Sequence, residues 1–329
     1  MKKSIAHIFI ILFAVLVLLL TPFAGSIKIP LSALKDFELT TTGAQIFYSL
    51  RLPRVFTAFL AGAALACCGV ALQAMFRNPL ATPFTLGISG GAAFGAAIYV
   101  IFAASLPIPY GSVWFSFAGS LAAVLLVYGL TRIKKGFSVG TMLLAGIAVN
   151  FFFSSLILFL QYISDFTQSF RIIHWLMGSV DVTGYSTPLT MLVLTVAGIA
   201  IIAAQSANLN LMSISDEIAI ARGVDVKNTR KIVFFATSIM VAAVVAFCGP
   251  IGFVGLMAPH ICRLLVGPDH KILTPASVLF GGAFLTLCDT VARTLIAPAE
   301  MPVGVITALL GGPFFIWLLL KNTDSKSGL

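Results

Sequence analysis

Residues 53–76 read PRVFTAFLAGAALACCGVALQAMF, and from Val55 to Phe76 the stretch holds no charged residue. At about 1.5 Å per residue it makes a helix of roughly 36 Å, enough to cross the ~30 Å hydrocarbon core of a bilayer. Its many Ala and Gly residues suit a helix packed against other helices. Outward from this segment, apolar runs between polar or proline-rich breaks recur at 5–25, 84–104, 113–130, 139–160, 187–205, 232–251, 255–266, 272–296 and 304–320. The eighth in order, 255–266, is short: either a half-helix or a continuation of the seventh beyond Gly249-Pro250. Composition agrees, with 59% hydrophobic residues, 9% charged residues and a mean hydropathy of +1.07 over 329 residues. A soluble domain carries about 25% charged residues and could not bury this much apolar surface. The expected fold is all-α and membrane-integral, about ten transmembrane helices in a single domain over 1–329.

Met1-Lys2-Lys3 before an apolar run has the look of a signal peptide, but Ile5–Leu20 is long for one, so an uncleaved first helix is expected. The five cysteines fall in apolar stretches without metal or disulfide spacing and read as reduced packing residues. The net charge of +9 would suggest nucleic acid in a soluble chain; here it reports topology, and no nucleic-acid partner is expected. With the N-terminus inside, 14 of the 20 Lys and Arg residues, including Arg77, Arg132, Lys134, Lys135 and Lys326, fall on the inner side, so both termini are expected in the cytoplasm. Three of the outer minority, Arg51, Arg54 and Arg293, sit at helix edges, where they either snorkel to headgroups or serve a function outside the membrane.

One inner segment, 206–231, is more than a connection. Ser213 and Ser215 are candidate caps, Asp216 and Glu217 occupy a first turn, and Ile214, Ile218 and Ala221 recur at helical spacing before Gly223. Such an amphipathic projection suits docking by a partner; the alternative is an ordinary solvated loop between two spans. The chain has no Gly-Lys dipeptide and therefore no phosphate loop for ATP. Asp289 is the one carboxylate inside a span, and its spacing from Arg293 predicts an ion pair between them rather than a proton relay. His260 stands alone beside Pro259, and no catalytic set is present, which disfavours both a metal site and an enzyme. Pro79 and Pro83 mark a rigid inner turn.

The run RLPRVFTAFLAGAALACCGVALQAMFRNPLATPFTLGISGGAAFGA at 51–96 resembles the signature region of the FecCD-type permeases, the membrane subunits of ATP-binding-cassette importers for ferric siderophores, haem and cobalamin. GPIGFVGLMAPHICRLLVGPDH at 249–270 and DTVARTLIAPAEMPVGVITALLGGPFFIWLLLK at 289–321 resemble the same family's C-terminal pattern. The resemblance implies a permease of the bacterial cytoplasmic membrane that pairs with a second permease subunit. Two cytoplasmic ATPase subunits would lie below it and an extracellular substrate-binding protein above. ATP and Mg would be used by the ATPases, with no cofactor bound by this chain. Helices two to five and seven to ten would form bundles of opposite orientation.

The family's outer arginines fall on Arg51, Arg54 and Arg293, which the resemblance assigns to acidic residues of the binding protein. Its coupling helices correspond to Met212–Val224, here with Ser215 for the usual glycine and Arg222 for the usual leucine. The residues implied in ATPase coupling are Ser215, Asp216, Glu217, Ala219, Arg222 and Gly223. Ser138, Thr141 and Met142 match a stretch near the dimer axis and are the implied gate. The implied cargo is a ferric siderophore or similar iron chelate, with cobalamin or haem as alternatives. An ion-coupled carrier is disfavoured by the docking loop and the absence of mid-membrane carboxylates.

Overall fold

The computed structural model describes residues 2–25, 27–102, 108–133 and 138–324; Lys134, Lys135, Lys326 and the last two residues of the expected 84–104 span lie outside the described residues. The helices are α1 Lys2–Leu20, α2 Leu52–Phe76, α3 Ile88–Phe102, α4 Gly111–Ile133, α5 Val139–Ile163, α6 Phe166–Leu176 and α7 Ser186–Ala204. They continue with α8 Ser206–Met212, α9 Asp216–Ala221, α10 Val226–Cys248, α11 Val254–Val266, α12 His270–Thr294 and α13 Val303–Asp324. No strand occurs among the described residues. Among the described residues, seven helices are long and apolar enough to cross a membrane, and the apolar stretches Ile88–Phe102, Val254–Val266 and Val303–Leu318 occupy the remaining expected spans.

Two helix starts differ from the sequence reading, and the eighth segment is decided between its two alternatives. The helix expected from Pro53 extends back to Thr42, through a π-helical stretch Ile46–Arg51. Wider turns directly ahead of Pro53 suit a residue with no N–H to offer a regular ladder. The third span begins as a 3₁₀ turn at Pro83–Leu86 and becomes helical only from Ile88. The eighth is a separate short helix: α10 ends at Cys248, Gly249 and Phe253 both take φ of 67°, and α11 starts at Val254.

Small residues decide which helices are central. In their most apolar windows α2, α10 and α12 are 83%, 72% and 61% buried, against 28–33% for α1, α4, α5 and α7. A Cβ on Gly62 of α2 would overlap the carbonyl oxygen of Gly281 on α12, and one on Gly91 of α3 that of Gly119 on α4. Backbones in direct contact bring many weak dispersion attractions within range, the main attraction available between helices in lipid. Packing is reciprocal between the two expected bundles: α2 lies against α10, α11 and α12, and α10 against α2, α3 and α4. At the periphery, α1 turns Ile10, Ala14 and Val17 inward and leaves Ile8, Leu12 and Leu19 exposed. Ala14 and Val17 pack on Ala283, while Ala6 packs near Ile272, so α1 and α12 run parallel. Following the charge bias, the end where α1 and α12 begin is called inner and the end where they finish outer.

Candidate functional site

At the outer end the three arginines come from three elements: Arg51 closes the π-helical stretch, Arg54 lies in the first turn of α2, and Arg293 in the last turn of α12. Arg54 is the best paired. Its Nε donates to both carboxylate oxygens of Asp289 at 3.1 and 3.0 Å, Nη2 donates to Oδ1 at 3.0 Å, and Nη1 donates to Glu300 Oε2 at 2.6 Å. This is the planar fork geometry that guanidinium offers a carboxylate. Asp289 is 1% exposed and Glu300 50%, so the same guanidinium joins a buried acid to a surface acid.

The expected Asp289–Arg293 pair does not form. Residues four apart share a helix face, but Arg54 reaches Asp289 from the neighbouring helix, and Arg293 Nη2 donates to the Thr21 carbonyl at 2.6 Å and to Thr290 Oγ1 at 3.3 Å. Arg51 likewise donates to main-chain oxygens, those of Pro22 at 3.1 Å, Phe23 at 3.0 Å, and Ile27. Arg51 and Arg293 are thus buried and hold the segment that leaves α1. All three arginines nevertheless border one cavity of about 410 Å³, lined also by Gly25, Leu50, Asp181 and Glu300. Sequence reasoning missed Glu300 as a partner, because 246 residues separate it from Arg54. It also missed α6, although Asp165 and Gln168 form the reciprocal capping box whose D-x-x-Q spacing is visible in the chain.

At the inner end, 206–231 folds as two short helices and a turn. Ser215 Oγ accepts from the Ile218 N–H at 3.0 Å and caps the start of α9, whereas Ser213 sits at the end of α8, its Oγ donating back to the Asn210 carbonyl at 2.8 Å. Gly223 takes φ of +83°, its N–H donates to the Ile220 carbonyl, and the Val224 N–H donates to the Ala219 carbonyl. These are the paired bonds of a Schellman ending. Ala219 is fully buried, and Ile214, Ile218 and Ile220 are exposed beside the exposed Glu217 and Arg222. The Glu217 carboxyl is held below the usual range by its own backbone N–H and then by the Ser215 hydroxyl. Asp216 is engaged within the chain, by Arg230 at 2.6 Å and Arg77 at 3.7 Å.

Ser138 caps α5: its Oγ accepts from the Thr141 N–H at 3.2 Å and lies 2.7 Å from Thr141 Oγ1. Met142 is 1% exposed and packs among the protomer's own helices. The five cysteines are free and buried. No group of three or more His, Cys, Asp or Glu side chains able to hold a metal occurs among the described residues, and His260 lies edge-on to Phe314.

The chain matches the FecCD transport family over residues 10–321. It is 38% identical over 323 residues to the hemin transport system permease protein HmuU of Yersinia pestis, covering 97% of this chain and 96% of that protein. It is also 38% identical over 296 residues to the cobalamin import system permease protein BtuC of Halobacterium salinarum, covering 89% and 78%. In three dimensions it superposes on a solved inward-facing transporter described as of metal-chelate ABC type, with a TM-score of 0.84, 34% identity, and coverage of 97% of this chain and 99% of that one. With a family match running over residues 10–321 and a whole-chain superposition on a related transporter, the chain belongs to the FecCD transport family and is a multi-span helical permease.

Proposed function

We propose that the chain is the permease subunit of an ATP-binding-cassette importer that pairs with a second permease subunit and carries an iron chelate, a ferric siderophore or haem, into the cytoplasm. The observation that carries the reading is the end-to-end similarity to a hemin permease, together with a chain that has no phosphate loop of its own. An energy source in separate ATPase subunits then needs a docking element. The capped helix α9, with Ile214, Ile218 and Ile220 exposed around Glu217 and Arg222, has the apolar centre and charged rim of such a surface. Ser215 and Gly223 shape its two ends, Ala219 seats it, and Asp216 orients it through Arg230.

The cavity bordered by Arg51, Arg54 and Arg293 is the proposed receiving surface for acidic residues of an extracellular binding protein. Arg54 is its contact residue, since its Glu300 partner is half exposed and exchangeable. Arg51 and Arg293 support the cavity wall. Ser138 and Thr141 lie at the exposed start of α5, where they would face a second permease subunit near the path; Met142 fixes that turn from inside.

Reconstitution with the cognate ATPases and binding protein in liposomes tests the reading. ATP-dependent uptake of haemin or a ferric siderophore is expected. Uptake that ignores ATP and follows a proton gradient would replace the importer with a secondary carrier, and ATP-dependent uptake of cobalamin alone would replace the cargo.

A further inference from the structure

α2 and α12 cross the bundle side by side and are fastened along their whole length. At the outer end Arg54 grips Asp289. Near the middle, Gly62 and Gly281 bring the two backbones into contact, leaving no room for one helix to tilt into the other. The inner fastening comes from the 206–231 segment. Arg77, directly after α2, lies 3.7 Å from Asp216. At the start of α12, Leu273 packs with Ile10, Val70 and Cys262, and the polar fastening comes from Asn210 of α8.

Asn210 spends its amide on two consecutive residues. Its Nδ2 donates to Asp269 Oδ1 at 2.7 Å, while Oδ1 accepts from the His270 backbone N–H at 2.9 Å and lies 2.6 Å from His270 Nδ1. The carboxylate of Asp269 can only accept, which fixes the amide orientation; Asn Oδ1 can only accept, which puts the His270 proton on Nδ1. Asp269 is also the N-cap of α12, its Oδ1 accepting from the Lys271 N–H at 3.0 Å. Leu209 and Met212 on either side of Asn210 are buried, so α8 is seated in the core and its polar residue reaches α12. The Asn210 side chain thereby turns to α12 rather than to the exposed face of α9.

We propose that Asn210 is a positioning residue that ties the 206–231 segment to the α2–α12 pair, so that displacement at the ATPase side is delivered to the outer arginine cavity. The inference rests on reading 206–231 as the ATPase-docking segment and the cavity as the binding-protein surface. A packed pair of helices fastened at both ends moves as one body, so a displacement applied at one end is carried to the other.

The test uses the complete complex of permease, ATPases and binding protein in liposomes, and reads how far the binding protein stimulates ATP hydrolysis over the basal rate, with no cargo needed. Asn210→Ala should keep the basal rate and lose stimulation by about 2- to 30-fold, the span of typical coupling effects. His270→Leu removes one of the three bonds while keeping the site filled, and should give a smaller loss. Asp269→Asn keeps an oxygen for Asn210 and for the cap, and should behave as wild type. Undiminished stimulation in both Asn210→Ala and His270→Leu overturns the proposal, as does a parallel fall of basal and stimulated rates, which marks a merely structural role. A wild-type complex that the binding protein does not stimulate overturns the docking reading itself.

Discussion

Arg54 and Asp289, 235 residues apart in the chain, are joined by three guanidinium–carboxylate hydrogen bonds of 3.0–3.1 Å. With Asp289 only 1% exposed, this contact gives a buried carboxyl its hydrogen-bond partner, and it locks α2 to α12 at the outer end.

Breaking one side of the pair should cost more than removing both. Asp289→Ala leaves Arg54 a largely buried cation with Glu300 alone, and a loss of about 3–5 kcal/mol is expected. Arg54→Met combined with Asp289→Leu should recover much of it. Thermal unfolding in detergent compares the two, and a double variant no more stable than the single would remove the stranded-charge explanation.

Arg51 and Glu300 border the same cavity with opposite structural weight. Arg51→Ala strips donors from the Pro22, Phe23 and Ile27 carbonyls and should cost about 2 kcal/mol or more. Glu300→Gln alters a half-exposed pair and should change stability by less than about 1 kcal/mol. The same melting measurement checks the order, which a mild Arg51→Ala would invert.

Helix contact makes a sharp contrast between glycines. Gly62→Val should force α2 from α12 and cost about 1–3 kcal/mol, whereas a Cβ at Gly129 of α4 meets nothing within 4 Å. Gly129→Ala is therefore expected to be neutral or stabilising by up to about 1 kcal/mol. Equal effects at the two positions would mean that the α2–α12 approach is not a tight contact in the membrane.

The ends of α9 are set by different chemistry. Ser215→Ala removes the cap and should weaken α9 by about 1 kcal/mol, but Ser215→Gly by only a few tenths. Gly223→Ala places a side chain at φ +83° and should be strained. Faster amide exchange over 216–221 in Ser215→Ala and Gly223→Ala, but not in Ser215→Gly, is the expected pattern.

On the outer side, Thr41, through hydroxyl and N–H, and Thr40 lower the Asp36 carboxyl to about 2. A depressed acid stabilises its turn fully above the unfolded value near 4, and that support is lost as pH falls through about 2. Exchange at the Thr40 and Thr41 amides should therefore remain protected, relative to Asp36→Ala, down to about pH 4 and converge with it below about 2. Convergence already at neutral pH would show that the carboxylate does not order the turn.

Much of the architecture was legible without coordinates, because hydropathy is a sum over local residues. Helix-length apolar runs, the capping serine at 215 and the turn glycine at 223 are each signalled within a few positions of where they act. The local signal failed where helix ends depend on neighbours, as at the π-helical approach to Pro53, and where a partner lies far along the chain. Arg293 is the clearest case: spacing pointed to Asp289 one turn away, but the fold supplied the Thr21 carbonyl on one side and gave Asp289 to Arg54 on the other.

Read in order, the residues show an all-helical membrane protein with an amphipathic segment at 206–231 and a few arginines at helix edges, since apolar run length and charge bias are properties of the chain itself. Only the tertiary structure decided what those arginines hold, that Asp216 faces inward to Arg230, and that Asn210 fastens α8 to α12. Hydrogen bonds and ion pairs are short-ranged, so the partner is whichever group the packing of distant helices brings within about 3 Å.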